Sequence, residues 1–156
     1  MKKFIALIVV LCAVMISSTT ASAANWVWIY SNDYFTVYVD NSSIRRDYNY
    51  HGYVFRAFIK KVYTDAGRRN HIEFFRSRGF VPHGIYNLAY DITLQYFKAE
   101  NGIKYVAILN CTAYDHNGDT ISEISSSDTY PPQWVIIPPD SVGEAIFDTI
   151  YARVPN

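Results

Sequence analysis

The sequence predicts an α+β domain: an antiparallel sheet of about six strands in a meander, with a C-terminal helix packed on it and a second helix near residues 66–78. Three observations lead to this fold class. Several segments alternate apolar and polar residues with the period of two that is typical of strands. Asn-Gly pairs, which favour tight hairpin turns, follow two of these segments. A helical pattern stands apart from them at the C-terminal end, as in the α+β class.

A cleaved signal peptide is predicted for residues 1–23. Two lysines precede an apolar run over residues 4–16, and Ala21-Ser22-Ala23 forms a cleavage site. The run is too short to span a bilayer, and an uncleaved anchor is the alternative. The remaining residues, 24–156, have the length of a single domain. Neither a linker nor a repeat divides them.

The signal peptide predicts an exported protein that is periplasmic, located at the cell surface or secreted. Cys12 raises the alternative of a lipid anchor, but Leu11 precedes it where lipid attachment requires a small residue. Lipid anchoring at Cys12 is therefore not expected. A transmembrane segment is not expected either, because no second long apolar run follows.

The first two strand patterns are expected to form a hairpin. Residues 26–31 alternate aromatic with aliphatic side chains, and residues 35–39 place Phe35, Val37 and Val39 on one face. A short Ser-Asn-Asp turn connects the two patterns, so the strands should pair antiparallel.

The stretch "FTVYVDNSSIRR" is expected to end the second strand in a helical turn. Side chains between Asp40 and Ser43 would satisfy the freed backbone N–H groups, and Ile44 would anchor the turn in the core. The third strand pattern runs from Tyr53 to Tyr63, with charge on one face only. Its core face is expected to carry Tyr53, Phe55, Ala57 and Ile59.

The stretch from Asp65 to Gly79 predicts the second helix. Asp65 would cap it, and Ile72 and Phe75 have helical spacing. Residues 80–87, with Pro82 and Gly84, predict a connecting loop.

The remaining strands are expected to form a meander from residue 90 to about residue 126. Residues 103–114 are apolar nearly throughout, which predicts a central strand, and Asn117-Gly118 turns the chain into residues 120–125. A short last strand, "WVII", follows. In residues 89–98 one face is expected to carry Tyr90, Ile92, Leu94 and Tyr96, and the other Asp91, Thr93 and Gln95.

The C-terminal helix is predicted from its start signal and its apolar face. Ser141 and Glu144 match a capping box. The apolar face would carry Val142, Ala145, Ile146, Thr149 and Ile150. A helix of about 12 residues packed on the sheet is expected.

The charge of the chain is nearly balanced overall but unevenly placed. Without the signal peptide there are 12 Lys+Arg and 14 Asp+Glu, which argues against a nucleic-acid partner. Residues 45–78 contain nine basic and three acidic residues, whereas residues 111–156 contain one basic and seven acidic residues. Either the molecule is bipolar, which favours an acidic partner or self-association, or the two segments cancel within one sheet.

No catalytic, cofactor-binding or metal-binding residue is predicted. Cys111 lies in an apolar strand without the local signature of a nucleophile, and it is either buried or paired between chains. The four histidines do not have the spacing of a preformed zinc site. Residues 115–119, "DHNGD", resemble the start of a calcium loop, but the last position of that loop lacks an acid, so a hairpin turn is favoured.

The first candidate binding residues are arginines. A basic patch for an acidic protein, a sulfated glycan or an anionic headgroup would consist of Arg68, Arg69, Arg76 and Arg78. The alternative is that these four form an ordinary solvated face. Arg45 and Arg46 would lie at the rim of a binding surface.

The second candidates are Tyr34 and Tyr38, which lie opposite the predicted core face of their strand. With Trp26 and Trp28 nearby they would make an aromatic surface that binds protein or sugar. The alternative places them beneath the C-terminal helix.

Two parts of the chain are similar to a known family. "VYVDNSSIRR" followed by "YVFRAFIKKVY" resembles the opening of the surface-adhesin E-like domain family of bacteria, and "TAYDHNGDTI" and "WVIIPPDSVGEAIFDTIY" are similar to its closing pattern. The resemblance extends from about Trp26 to Ala152. It implies an antiparallel sheet with a packed helix, a location at or beyond the cell surface and, as for the family's namesake, attachment to host extracellular-matrix proteins. No binding residue is carried over.

These observations lead to the hypothesis of an exported, non-enzymatic binding domain with a protein or acidic glycan as partner. The alternative is a structural or accessory periplasmic protein that associates with itself, as a homo-oligomer, or with another envelope component. A small hydrolase built from histidine and aspartate residues that converge in space is a more remote alternative.

Overall fold

The computed structural model describes residues 23–49, 52–126 and 133–154. It confirms the α+β class, with eight strands in one antiparallel sheet and two helices. Cys12 and residues 1–22 of the predicted signal peptide lie outside the described residues. No helix in the described part of the chain is long and apolar enough to cross a membrane.

The elements follow one another in the order that the sequence predicts, with one short strand, β3, added. The strands are β1 (Trp26–Ser31), β2 (Phe35–Asp40), β3 (Arg45–Asn49), β4 (Gly52–Tyr63), β5 (Leu88–Glu100), β6 (Ile103–Asp115), β7 (Thr120–Ser125) and β8 (Val135–Ile136). The helices are α1 (Asp65–Ser77) and α2 (Val142–Tyr151).

The strand order across the sheet is β1-β2-β4-β5-β6-β7. The predicted first hairpin and the predicted meander are both confirmed. Strands β2 and β3 pair with different parts of the same edge of β4. In the same way, β7 and β8 pair with different parts of one edge of β6. The sequence did not predict β3, because "RRDYN" has no apolar alternation and is held by backbone pairing with its neighbour.

Asp40 ends β2 and caps a short 3-10 turn, Asn41–Ser43. Its carboxylate accepts hydrogen bonds from the backbone N–H groups of Asn25 and Ser42, both at 2.9 Å, and from the Ser42 hydroxyl at 2.6 Å. Ile44 follows at 2% exposure and anchors the turn in the core. The predicted helical turn and its anchor are confirmed.

The larger hydrophobic core lies between α2 and the sheet. From the helix it contains Ile146, Phe147 and Ile150, and from the strands Val37, Val39, Ala57, Ile59 and Phe97. Phe55 packs at its margin, whereas the side chain of Tyr53 lies outside the described residues. The predicted core face of β2 is thereby confirmed, and that of β4 is confirmed for Phe55, Ala57 and Ile59.

The start of α2 is held by a capping box of altered geometry. The Ser141 hydroxyl accepts the backbone N–H of Glu144 at 3.2 Å, as predicted. The Glu144 carboxylate, however, accepts the backbone N–H of Asp140 at 2.7 Å. The Lys104 ammonium of β6 donates to Glu144 and Asp148, both at 2.7 Å, and these hydrogen bonds raise the pKa of Lys104.

The smaller core lies under α1. It contains Ile72 from the helix together with Ile85, Leu88 and Ala113. Helix α1 begins one residue earlier than predicted, since Thr64 and not Asp65 is the cap: its hydroxyl accepts the backbone N–H of Gly67 at 3.1 Å. A threonine hydroxyl two bonds from the backbone reaches this N–H while Asp65 already has helical geometry.

Strand β5 turns its polar side chains toward the helices. Ile59 and Lys61 of β4 pair with Thr93 and Asp91, and paired residues project to the same face. Asp91 is only 9% exposed. The alternation is as predicted, but the more apolar set of β5, which includes Ile92, faces away from both helices. One broad sheet face therefore carries aromatic and aliphatic side chains without a helix over it.

Candidate functional site

The predicted arginines do not form one patch. Arg68 turns toward the sheet, where its guanidinium donates to the Asp65 carboxylate at 2.6 Å and to the imidazole Nε2 of His116 at 3.1 Å. It therefore links α1 to the turn between β6 and β7. Its role in the structure is to position the helix, and it is not available as a free cation.

Three other arginines of this stretch remain at the surface. Arg78 lies over the ring of Phe74, with its guanidinium carbon 4.3 Å from the ring centroid. Arg69 and Arg76 are exposed and lie seven positions apart, which places them on the same side of α1. Of the four arginines in the predicted basic patch, only Arg69 and Arg76 share an exposed side of α1. Arg78 lies after the end of the helix.

Arg45 and Arg46 project to opposite faces of the sheet. Arg45 pairs with Arg56, and Arg46 pairs with Phe55 of the helix-bearing face. Arg45 and Arg56 border a shallow depression of about 220 Å³ beside Phe58. Of the two predicted residues, Arg45 therefore lies on the face that carries no helix.

We name the sheet face opposite the helices the open face. One row of cross-strand neighbours runs over it from the first strand to the last: Trp28, Tyr38, Lys60, Ile92, Thr112 and Glu123. The row begins with two aromatic rings and a cation. Trp28 is 60% exposed and Phe58, near the row, is 40% exposed. Exposed aromatic side chains on a rigid sheet are typical of recognition surfaces.

Lys60 lies at the centre of the aromatic part of the open face. Its ammonium is 5.8 Å from the ring centroid of Trp26 and 4.2 Å from that of Tyr90, which is within cation–π range. Tyr90 in turn stacks on Tyr114, with centroids 4.9 Å apart. Packing on these rings holds the Lys60 side chain along the sheet surface.

The predicted tyrosines separate in the fold. Tyr38 lies on the open face beside Trp28, as the aromatic-surface interpretation expects. Tyr34 lies instead in the turn before β2, where it lines a cleft against α1. The alternative that placed the tyrosines beneath the C-terminal helix is wrong, because α2 packs on the side of Val37 and Val39.

A cluster of titratable groups that the sequence did not reveal lies on the helix-bearing face, where α1 meets β4 and β5. The Tyr63 hydroxyl donates to the Asp91 carboxylate at 2.5 Å. Burial raises the pKa of Asp91. Burial also raises the pKa of Tyr63, and the nearby charge of Asp91 raises it further. Burial lowers the pKa of His71, whose ring lies 5.2 Å from that of Tyr63. In the sequence, the sign of this cluster was the alternating polar set Asp91, Thr93 and Gln95. Alternation shows that these side chains share one face of β5, but it does not show that this face is buried.

Cys111 belongs to the same region. Burial raises the pKa of its thiol to about 11, so the thiol is protonated at neutral pH. A protonated thiol is a poor nucleophile and a poor metal ligand. In residues 23–49, 52–126 and 133–154, no group of three or more His, Cys, Asp or Glu side chains could hold a metal ion.

Fold and surfaces together define the class of protein: a small α+β domain whose single antiparallel sheet bears helices on one face and an aromatic row with a central lysine on the other. No protein-family model matches the chain, and neither a curated protein nor a solved structure matches it. The resemblance to the surface-adhesin E-like domain family therefore stays a prediction.

Proposed function

We propose that this protein is an exported, non-enzymatic binding domain and that its open face binds an acidic protein partner. The observation that carries the proposal is the row of Trp28, Tyr38 and Lys60, with Trp28 60% exposed on a rigid sheet. Tryptophan, tyrosine and cationic side chains are enriched at the energetic centres of protein interfaces. The signal peptide predicted for residues 1–23 supports export.

The charge of the open face favours an acidic partner. Lys60 is held between aromatic rings, and Arg45 and Arg56 border the depression beside Phe58. Arg56 is already paired with Asp47 at 3.1 Å. A partner that presents carboxylates next to apolar side chains would match both the aromatic rings and the cations.

Attachment to host extracellular-matrix proteins is the adhesive form of this proposal. It is supported by the resemblance of residues 26–152 to the surface-adhesin E-like domain family and by the predicted export. The basic pair Arg69 and Arg76 lies on the outer side of α1, so it offers an alternative contact surface that an experiment can separate from the open face.

The test measures binding of the mature chain to immobilised extracellular-matrix proteins by surface plasmon resonance. Trp28→Ala and Lys60→Met should each weaken binding at least about tenfold, since a central interface residue contributes about 2 kcal/mol or more. Lys61→Met is the matched control, because Lys61 is adjacent in sequence but faces the helices.

Two outcomes would overturn the proposal. One is the absence of saturable binding to every matrix protein. The other is binding that Arg69→Glu with Arg76→Glu abolishes while Trp28→Ala leaves it unchanged, which would move the contact to α1. Circular dichroism of each variant controls for loss of the fold.

A second candidate function is self-association within the cell envelope. Its specific support is that, among the described residues, no ion pair joins the basic residues of 45–78 to the acidic residues of 111–154. The two charge excesses therefore do not cancel each other, although Lys104 pairs with Glu144 and Asp148 and so takes up part of the acidic excess. Sedimentation at low and high salt tests this: association that weakens as salt rises is expected, and a monomer at low salt excludes it.

A further inference from the structure

A cleft on the helix-bearing face is separate from the open face and has the features of a small-molecule site. It lies between α1 and strands β2 and β4 and has a volume of about 310 Å³. Its lining includes the aromatic residues Tyr34, Phe35, Tyr63 and Phe74. Such a volume is at the lower end of the range for ligand pockets, which fits a molecule the size of one ring with a short substituent.

Backbone contacts define the rim of the cleft. Gly67 of α1 approaches Tyr34 so closely that an added Cβ would lie 1.8 Å from the Tyr34 carbonyl oxygen. The backbone N–H of Thr64 donates to the same carbonyl at 3.0 Å, and the Thr64 hydroxyl donates to the carbonyl of Asp33 at 2.7 Å. The turn before β2 and the start of α1 are therefore held together, and the cleft is preformed.

Lys61 gives the cleft its charge. Its ammonium lies 5.1 Å from the Phe35 ring centroid and 6.0 Å from that of Tyr63. No Asp or Glu of the described residues lies within 4.0 Å of it. Its cross-strand neighbour Asp91 is buried beneath the wall and is bonded to the Tyr63 hydroxyl. Lys61 is thus a cation on an aromatic wall with no carboxylate of the chain in ion-pair contact.

Two neutral polar groups line the cleft with Lys61. Asn70 supplies an amide and His71 an imidazole. Burial lowers the pKa of His71, so the ring is neutral at pH 7 and can donate one hydrogen bond. A cation with neutral donors beside aromatic walls suits a ligand with one negative group on an apolar body.

We propose that this cleft binds a small aromatic or branched aliphatic carboxylate, with its carboxylate at Lys61 and its apolar body against Phe35, Tyr63 and Phe74. The carboxylate replaces the missing ion-pair partner of Lys61, and Asn70 supplies a further hydrogen-bond donor. The aromatic rings exclude water from the ligand body, which strengthens the charge-assisted contact. A cationic ligand is disfavoured because it would meet the Lys61 ammonium.

The test titrates the mature chain with benzoate, phenylacetate and 4-methylpentanoate and follows backbone amide shifts by NMR. Benzamide, phenylacetamide and benzylamine are the matched neutral and cationic probes. At least one carboxylate should saturate the protein below about 10 mM and bind at least about tenfold more tightly than its amide, because a hydrogen bond to a charged group contributes about 1.5–3 kcal/mol. The shifted amides should belong to the turn before β2 and to α1.

Variants of the two adjacent lysines place the site on one face of the sheet. Lys61→Met keeps the aliphatic stem and removes the charge, so it should weaken carboxylate binding at least about tenfold. Lys60→Met, on the open face, should leave it unchanged. The comparison of carboxylates with amides on the unaltered protein remains decisive if Lys61→Met does not fold.

Three results would overturn the proposal. They are no saturable carboxylate binding up to about 10 mM, equal binding of carboxylates and amides, and equal losses in Lys60→Met and Lys61→Met. Because the cleft and the open face lie on opposite sides of the sheet, these results leave the proposed partner binding untouched.

Discussion

Asp91 shows at the level of one residue how a polar group is retained inside this sheet. Its carboxylate is 9% exposed and accepts the Tyr63 hydroxyl at 2.5 Å. Burial raises its pKa because the charged form loses hydration, and Lys61 across the strand pair partly offsets this cost. The hydrogen bond, and not the charge, is therefore what Asp91 contributes to stability.

Substitutions at Asp91 separate the hydrogen bond from the charge. Asp91→Asn keeps an oxygen acceptor for Tyr63 and carries no charge, so its free energy of unfolding at pH 7 should equal or exceed that of the unaltered protein. Asp91→Ala leaves the Tyr63 hydroxyl unpaired and should lower it by about 1–3 kcal/mol. Urea unfolding measures both. Equal losses in the two variants would show that the charge itself is required.

His71 makes stability depend on pH. Burial lowers its pKa, so the folded protein binds this proton more weakly than the unfolded chain does. The contribution is fully present above the ordinary pKa of about 6.5 and is lost as the pH falls from there toward the folded value. The charged groups that face His71 are Asp91, which opposes the shift, and Lys61, which adds to it.

The free energy of unfolding should fall as the pH is lowered from about 7.5 to about 5.5. We expect this fall to be smaller in His71→Asn than in the unaltered protein, because Asn does not titrate in this range. His83→Asn, at an exposed position outside this cluster, is the control for the substitution itself. The measurement is urea unfolding at several pH values. A slope that is the same in His71→Asn and in the unaltered protein contradicts the assignment.

Among the elements, helix α1 owes its position against the sheet to one close contact between backbone atoms. Gly67 packs against the Tyr34 carbonyl at a distance that leaves no room for a side chain, and Thr64 bonds to the same turn. The helix therefore meets the sheet through its first turn, and the aromatic cleft opens beside this contact.

Gly67→Ala should destabilise the protein although alanine favours helices by about 1 kcal/mol relative to glycine. The added Cβ would force α1 away from Tyr34, with an expected cost of about 1–3 kcal/mol from overpacking. Gly143→Ala in α2 is the matched control: its Cβ would lie 3.2 Å from the Ile137 Cγ2, a side-chain atom that can shift. Thermal unfolding should show a clear loss for Gly67→Ala only, and equal effects would contradict this account.

The whole molecule is held by one sheet shared between two cores. Helix α2 covers the larger core and α1 the smaller one, both on the same face. Because β4, β5 and β6 run beneath both helices, loss of either core disrupts the strands that support the other. The two cores should therefore unfold in one cooperative transition.

Ile150→Ala tests this cooperativity. Ile150 is fully buried under α2, and its truncation should cost about 2–5 kcal/mol. Ile124 of β7 is 68% exposed, so Ile124→Ala should change stability by less than about 0.5 kcal/mol. Circular dichroism and the fluorescence of the open-face tryptophans should report the same midpoint in each variant. Separate midpoints for the two probes would contradict a single cooperative unit.

The fold followed from local patterns to a large extent. Alternation and turn chemistry located the hairpin of β1 and β2, the long strands β4 to β7 and both helices. Strand β3 was missed, since "RRDYN" has no apolar alternation; backbone pairing and the ion pair between Asp47 and Arg56 hold it against β4. The cap of α1 was misplaced by one residue because Thr64 and Asp65 are both good capping residues.

The binding surfaces were predicted less well than the elements. Tyr38 and Arg45 lie on the open face, but Arg68 is used to position α1 and Tyr34 belongs to the cleft. Spacing along the chain indicates which side chains share a strand face. It does not indicate which face the helices will cover.

The sequence by itself determined the α+β class, the order of the elements and the alternation of each strand, because these depend on contacts between near neighbours. Only the tertiary structure decided that β5 turns Asp91 inward, that Lys61 lies in a cleft against α1, and that the aromatic row stays free of helices. The reason is physical: cross-strand register and helix placement join residues far apart in the chain, and the burial of a side chain depends on those distant partners.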